Sequence, residues 1–321
     1  MRTAEEAGQE APAAVIFPGQ GAQQPGMGKA WRECESWPLT GQIAAWTGVD
    51  IEHLLLTADE SELRRTDRAQ LGVFTVGVLA HGEASRAGAL TSVVAYAGHS
   101  LGEYTALYAA GALGLREAAL LVAERGAAML EAARRHPGTM AAVTGENAGS
   151  GGGEQLAAAC RRAGHRVWVA NHNGPHQVVL SGTPQGIAAA EELAAGTDLR
   201  CGQLPVGGAF HSPLMAPAAR RLGRALHATA FGAVHEPVVA NFDGRPYSRG
   251  EVWPALMTAQ LTGAVRWDAC MRTLADTLGA RRLLALGLGR TLAGLAKRMN
   301  PSLSVVSVRT PDQLAEAAHV S

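Results

Sequence analysis

A short β-branched and apolar run over residues 91–97 passes through Gly98-His99-Ser100-Leu101-Gly102 into an Ala- and Leu-rich run over residues 104–113. The first run has strand character and the second helix character, with only a glycine-flanked turn between them. Small Gly98 and Gly102 permit a sharp bend and Ser100 stands at its tip. The following helix N-terminus turns free backbone N–H groups toward any anion that forms beside the hydroxyl. Strand, tight turn and helix together make a nucleophile elbow. The same letters would also serve a glycine-rich turn with an inert serine, so Ser100 needs a partner elsewhere in the chain to carry chemistry.

The surrounding sequence repeats the alternation of strand and helix. Residues 13–17 form an apolar strand that runs into Pro18-Gly19-Gln20-Gly21-Ala22-Gln23, a loop whose glycines let the backbone approach a neighbour closely. Residues 69–82 read as a long apolar helix, and residues 118–134 as an amphipathic one carrying Glu124 and Arg125 among Ala, Leu and Met. This order predicts an α/β layer with a mostly parallel sheet. Near His136 the character changes. Strands are expected over residues 138–143, 166–171, 177–182 and 201–206, and helices over 154–163 and 187–195. An Asn-Gly-Pro turn joins the middle strand pair, and residues 145–153 form a glycine-rich loop. Strand, helix, strand, strand, helix, strand is the order of a ferredoxin-like unit, here inserted over residues 135–206. The chain then returns to the first layer, with strands at 283–286 and 304–308.

Composition narrows the function classes. Twenty-eight basic and 28 acidic residues cancel, so there is no electrostatic case for nucleic acid or an anionic membrane. No run of about 18 apolar residues offers a membrane span. Residues 1–12 are polar and acidic, and read as a flexible tail, not a signal peptide. Cys34, Cys160, Cys201 and Cys270 are widely spaced with no C-x-x-C pair. That spacing fits free thiols in a reducing compartment and argues against a zinc site. A cytoplasmic protein is expected.

A serine nucleophile needs a base. Among eleven histidines, His211 stands out in Gly207-Gly208-Ala209-Phe210-His211-Ser212-Pro213, where a strand runs into a glycine pair and a helix start. His99, beside the serine, is the rival. Adjacent residues on a tight elbow point in different directions, which places His99 poorly for taking the Ser100 proton.

The chain resembles a known family at this point. Phe17-Pro18-Gly19-Gln20-Gly21-Ala22-Gln23, Gly98-His99-Ser100-Leu101-Gly102-Glu103 and Ala209-Phe210-His211-Ser212 resemble three hallmark motifs of malonyl-CoA:acyl-carrier-protein transacylases. That family includes the acyltransferases of polyketide synthases. Arg125-Gly126, the stretch from Asn171 to Gly182, Gln260-Leu261, Val265-Arg266-Trp267 and Gly287-Leu288-Gly289 match in order, so the resemblance runs from about residue 13 to 309. It implies an α/β-hydrolase-like large subdomain, residues 13–134 and 207–321, with the ferredoxin-like small subdomain over 135–206 and the site in the cleft between them. It also implies a ping-pong acyl transfer through an ester on Ser100, with His211 as general base and acid. A backbone carbonyl near Gln260 would orient His211, and the backbone N–H groups of Gln20 and Leu101 would hold the oxyanion. His99 and Phe210 would line the substrate pocket.

Arg125 falls at the position of the family's carboxylate-binding arginine. An arginine on an amphipathic helix more often faces solvent, but the Arg125-Gly126 match favours a clamp for a malonyl carboxylate. Phe210 and Leu101 resemble the malonyl-specific members, because a phenyl ring crowds an α-methyl branch. Discrimination over one methyl is worth only ~1–3 kcal/mol, so a preference is expected, not an exclusion. Departures from the family pattern are Gly208 where a histidine is common, Ala69-Gln70-Leu71-Gly72 in place of Ala-Gln-Pro-Ala, Leu288 in place of proline, and Ala285 in place of an acidic residue.

These readings converge on a discrete malonyltransferase that uses malonyl-CoA and meets an acyl carrier protein in trans, as a monomer. They imply no metal, nucleotide or redox cofactor. A carrier-clearing acyl hydrolase and a transferase of substituted malonyl units are the alternatives. Arg134, Arg135, Arg161 and Arg162 offer charge to an acidic carrier or simply form a solvated face.

Overall fold

The computed structural model describes residues 11–319. The tail expected over residues 1–12 lies outside them except for its last two positions. There the Pro12 carbonyl accepts from the backbone N–H groups of Arg281 and Arg282 at 2.8 and 3.2 Å.

The strands in chain order are β1 (Ala13–Phe17), β2 (Val93–Gly98), β3 (Thr139–Thr144), β4 (Val167–Gly174) and β5 (Gln177–Gly182). They continue with β6 (Arg200–Gln203), β7 (Val238–Val239), β8 (Pro246–Tyr247), β9 (Arg282–Leu286) and β10 (Ser304–Val308). Six of them form one sheet in the order β10-β9-β1-β2-β7-β8, parallel throughout except for the antiparallel β7–β8 pair. The central strand β1 is buried on both faces, as the all-apolar Ala-Ala-Val-Ile-Phe run requires. Val15 and Phe17 pack on the side of the helices Thr66–Arg86 and Leu115–Arg135. Ala14 and Ile16 meet Trp267, Leu274 and Leu295 on the other side.

Those two long helices position much of the site. Thr66–Arg86 is apolar on almost every side from Leu71 to Ala80 and runs through the core, so its polar residues must find partners there. Thr75 donates its hydroxyl to the Leu71 carbonyl at 2.8 Å. In Leu115–Arg135 the inward positions Ala118, Val122, Arg125, Met129 and Ala132 recur at spacings of three and four residues. The helical period therefore carries Arg125 inward with its apolar neighbours.

The other four strands form an antiparallel sheet in the order β4-β5-β3-β6. The helices Gly153–Arg162 and Pro184–Ala194 cover one face, around Val143, Cys160, Leu180 and Ile187. Alternation along β3 sends Ala141 and Val143 to that core and Met140 and Ala142 to the opposite face, which lines a pocket. Strand, helix, strand, strand, helix, strand in this spatial order is ferredoxin-like, and the molecule is an α/β fold with a small subdomain.

Two segments differ from the sequence-based expectation. The strand read over residues 201–206 ends at Gln203; the Leu204 N–H still donates to the Met140 carbonyl of β3 at 2.8 Å, and Leu204 and Val206 line the pocket. The glycine-rich stretch over residues 145–153 is not an open loop. Ala148–Gly152 winds a wide helical turn against the β4–β5 hairpin, with the Gly149 N–H donating to the Pro175 carbonyl at 2.8 Å. A methyl group on Gly149 would lie 1.9 Å from the Gly174 carbonyl oxygen, so only glycine permits that approach. Among the described residues no helix is long and apolar enough to cross a membrane.

Candidate active site

The C-terminal ends of β1 and β2 lie side by side, and the loops leaving them meet. Parallel sheets place ligand sites at this edge. The His99 N–H donates to the Phe17 carbonyl at 3.0 Å, tying the elbow to the Pro18–Gln20 loop. The elbow is as tight as its glycines allow. A methyl group on Gly98 would meet the Gly102 carbonyl carbon at 1.9 Å, and one on Gly102 the Phe17 carbonyl oxygen at 2.3 Å. Ser100 itself sits at φ 54°. Among the described residues, the only other non-glycine with positive φ is His211, at 56°. Both are backbone conformations that L-residues adopt at a cost of about 1–3 kcal/mol, and that surrounding contacts must hold.

Those contacts converge on the serine. Ser100 Oγ and His211 Nε2 are 2.7 Å apart, and His211 Nδ1–H donates to the Gln260 carbonyl at 2.8 Å. The carbonyl fixes the tautomer, leaving Nε2 as the acceptor for the serine proton. Burial, reinforced by the positive charge of Arg125, holds the His211 imidazole down to about 3, so it is neutral at ordinary pH. His99 faces elsewhere. Its Nε2 lies 3.0 Å from Asn173 Oδ1, its ring tilts against Trp267 at 5.4 Å, and burial lowers its pKa.

Arg125 is only 1% exposed. Its Nη1 donates to Gln70 Oε1 at 2.7 Å, and its Nη2 to Ser100 Oγ at 2.9 Å and to Gln260 Oε1 at 3.4 Å. The guanidinium lies over the Tyr104 ring at 5.6 Å, and its Nε has no hydrogen-bond partner. No carboxylate of the described residues forms an ion pair with it; Glu103 acts on it only at longer range. A buried cation without a counter-ion is expensive, and here it faces a cavity.

That cavity, of about 340 Å³, is lined by His99, Ser100, Arg125 and His211 among its polar residues. Met129, Met140, Val179, Leu204, Phe210 and Leu288 are among its apolar lining residues. Gln20 also lines it, and the backbone N–H groups of Gln20 and Leu101 have no acceptor among the described residues. The Ser100 N–H, by contrast, is already given to Asn241 Oδ1 at 2.6 Å. Among the described residues no group of three or more His, Cys, Asp and Glu side chains is placed to hold a metal.

Six of the eight sequence-derived site residues line this cavity, namely Gln20, His99, Ser100, Arg125, Phe210 and His211. Gln260 sits behind it on His211 and Arg125, and Leu101 follows Ser100 on the elbow. The structure adds four more site residues. Gln70 had appeared only as part of a departing tetrapeptide, yet it anchors Arg125. Asn173 engages His99. Asn241 donates its Nδ2–H to the Gly98 carbonyl at 2.8 Å while accepting from Ser100, so it clasps the elbow from beneath. Glu103, 1% exposed, accepts from the Asn241 N–H and from Gln260 Nε2, each at 2.7 Å. Burial pushes its carboxyl up to about 7. No periodicity marks Asn241; Asn173 lay inside the matched stretch from Asn171 to Gly182 and Glu103 inside the elbow motif, but nothing local shows that either points into the site.

A hydroxyl set between a neutral imidazole and a buried guanidinium, on an α/β elbow, is an arrangement that suits acyl transfer. Residues 15–279 match the acyl transferase domain, and the chain belongs to that family. It is 33% identical over 304 residues to the malonyl CoA-acyl carrier protein transacylase of Bacillus subtilis, an alignment that covers 94% of each chain. The crystal structure of the acyl-carrier-protein S-malonyltransferase of Burkholderia pseudomallei superposes with a TM-score of 0.90 at 34% identity, over 96% of this chain and 100% of that one. A malonyl-transacylase solved in complex with its type II polyketide synthase acyl-carrier protein superposes with a TM-score of 0.89 at 31% identity, over 97% and 100% of the two chains.

Proposed function

We propose that this protein transfers a malonyl unit from CoA to the phosphopantetheine thiol of an acyl carrier protein through an ester on Ser100. The observation that carries the reading is the Arg125 guanidinium, buried without a carboxylate partner 2.9 Å from the Ser100 hydroxyl oxygen. A malonyl carboxylate docked on that fork supplies the missing counter-ion. It also holds the thioester carbonyl, two bonds away along the acyl chain, beside the nucleophile.

In the first half-reaction Ser100 Oγ attacks the thioester carbon and His211 Nε2 takes the hydroxyl proton. The C=O π pair moves onto oxygen, where the backbone N–H groups of Gln20 and Leu101 receive it. Donors fixed at such a position are each worth about 3 kcal/mol to the transition state. Collapse expels the CoA thiolate, which takes the proton from His211. The second half-reaction runs in reverse order with the carrier thiol as nucleophile. His211 starts each cycle neutral because burial and Arg125 keep it so. Its Nδ1–H stays with the Gln260 carbonyl, which stabilises the transient imidazolium without an acidic third member. Phe210, which lines the cavity beside His211, favours an unbranched malonyl unit, because its ring crowds an α-methyl branch.

The test is intact mass after brief incubation with malonyl-, methylmalonyl- or acetyl-CoA, followed by a phosphopantetheinylated carrier. The expected result is a malonyl adduct that moves to the carrier and is absent from Ser100→Ala. An adduct on Ser100→Ala would refute the nucleophile. Loss of the adduct to water without transfer would make the protein a hydrolase.

A further inference from the structure

The buried carboxylate beneath the elbow has no part in the chemistry above, yet its contacts reach both halves of the dyad. Glu103 stands in the first turn of the helix Gly102–Ala109. One of its oxygens receives the backbone N–H of Asn241, whose side chain clasps Gly98 and Ser100. The other receives Gln260 Nε2, and the Gln260 carbonyl orients His211. Gln260 is itself 1% exposed and ends the helix Trp253–Gln260. Its amide is fully committed. Nε2 donates to Glu103 and, at 3.1 Å, to the Ser100 carbonyl, which leaves Oε1 facing Arg125 Nη2.

We infer that Glu103 is a positioning residue that, through the Gln260 amide, fixes the His211-orienting carbonyl and the Arg125 guanidinium together. Both neighbours of the Glu103 carboxylate are donors, so it serves only as an acceptor. A group at position 103 that presented a proton would set donor against donor. The Gln260 amide would then turn over, pointing Nε2–H at the Arg125 guanidinium and loosening its hold on the Ser100 carbonyl. Pinning the side chain of Gln260 also pins its peptide plane, and with it the acceptor of His211 Nδ1–H. The inference rests on the Ser100–His211 reading.

The charged and titratable groups facing Glu103 are Arg125 from the helix Leu115–Arg135, Tyr104 from its own helix, Asp243 beyond Asn241, and Cys270 behind it. Burial is the largest influence on its proton, Arg125 opposes it and Asp243 adds to it, so Glu103 protonates at about 7. His211 stays neutral down to about 3. Because the carboxylate is the acceptor of both donors, its protonation near neutrality gives serine acylation an acid limb there.

The experiment is single-turnover acylation by saturating malonyl-CoA as a function of pH, for the wild type, Glu103→Gln, Gln260→Leu and the double variant. Gln260→Leu keeps the backbone carbonyl and Glu103 but removes the bridge. It also serves if Glu103→Gln does not fold. A misplacement of the dyad on this scale costs about 10–100-fold in rate. We expect that loss in each single variant, no greater loss in the double variant, and no acid limb in either single variant. Wild-type rates with an intact limb in Glu103→Gln, or in Gln260→Leu, would overturn the inference. A fall in thermal stability with unchanged rate per folded molecule would make Glu103 a structural residue only. Ser100→Ala, run alongside, separates the two levels: an adduct there refutes the nucleophile itself, whereas silence there with an unperturbed Glu103→Gln refutes only the positioning role.

Discussion

Arg125 pays a desolvation cost that no side chain around it repays. Its fork reaches one amide oxygen, one hydroxyl and, at the edge of hydrogen-bonding range, a second amide oxygen, all neutral, while Nε has no partner. A carboxylate entering the cavity converts that cost into binding, and a methyl in its place does not. Each charge-assisted hydrogen bond is worth about 1.5–3 kcal/mol. Arg125→Ala should therefore lower kcat/KM for acylation by malonyl-CoA about 100-fold, roughly 3 kcal/mol at 1.4 kcal/mol per factor of ten, and that for acetyl-CoA much less. Arg125→Lys should rescue little, because a point charge cannot hold Gln70 and the substrate in one plane. Parallel kinetics with the two thioesters measure the difference, and equal losses would make Arg125 a packing residue. The amphipathic helix is readable in the sequence, but the inward position of Arg125 beside Val122, Met129 and Ala132 comes from the family match at Arg125-Gly126, since helical period alone favours a solvent-facing arginine. Its partner Gln70 is not legible, because a polar residue on an all-apolar helix announces burial without naming what it meets.

At the scale of elements, the site depends on one crossing, where the helix Gly102–Ala109 starts against the end of β1. The Phe17 carbonyl oxygen lies where a Cβ on residue 102 would be, at 2.3 Å. Backbone on both sides leaves no flexible atom to yield. Gly102→Ala should thus push the helix start away from β1 and cost about 1–3 kcal/mol of stability, read by urea denaturation. It should also slow serine acylation, because Leu101 and Gln20 approach across the same crossing. Full stability and full activity in Gly102→Ala would show that the crossing is more pliant than this. The strand–turn–helix order and the glycines make this element legible from sequence, as short apolar runs do for β1, β2, β3 and β5. The two-residue strand β7 is too short to leave a periodic signal, yet it is parallel to β2 and leads directly into Asn241. Asn241 is accordingly silent in the sequence, although it holds the nucleophile's backbone at both Gly98 and Ser100. The glycine-rich turn over residues 145–153 is misleading in the opposite sense: its glycines are there for close packing, where composition alone reads as an open loop.

For the molecule as a whole, burying neutral imidazoles makes stability depend on acid. His81 lies in the helix Thr66–Arg86 among the rings of Phe17, Tyr96 and Tyr108, at 5.9–6.3 Å, and burial lowers it from 6.5 to about 4. His211 is lowered to about 3. In both cases the unfolded chain takes the proton first, so their contribution is complete above pH 6.5 and falls as the pH drops through 4 and 3. Glu103 works the other way. Raised from 4.5 to about 7, it is protonated more readily in the folded state, so its contribution grows as the pH falls from 7 and is complete below 4.5. Between pH 6.5 and 4.5 the carboxyl partly offsets the two imidazoles; below 4.5 nothing in this trio does. The contribution of this trio should therefore decline by about 1.4 kcal/mol per pH unit from pH 6.5 to 4.5, about twice as fast from 4.5 to 4 and at the first rate again from 4 to 3, with His81 accounting for about 3 kcal/mol of the loss. Urea denaturation at a series of pH values tests this directly. His81→Phe, which keeps a ring among the other three, should flatten the decline between pH 6.5 and 4 by about that amount. If the variant instead loses stability on acidification as fast as the wild type, the proton that unfolds the protein is taken up elsewhere.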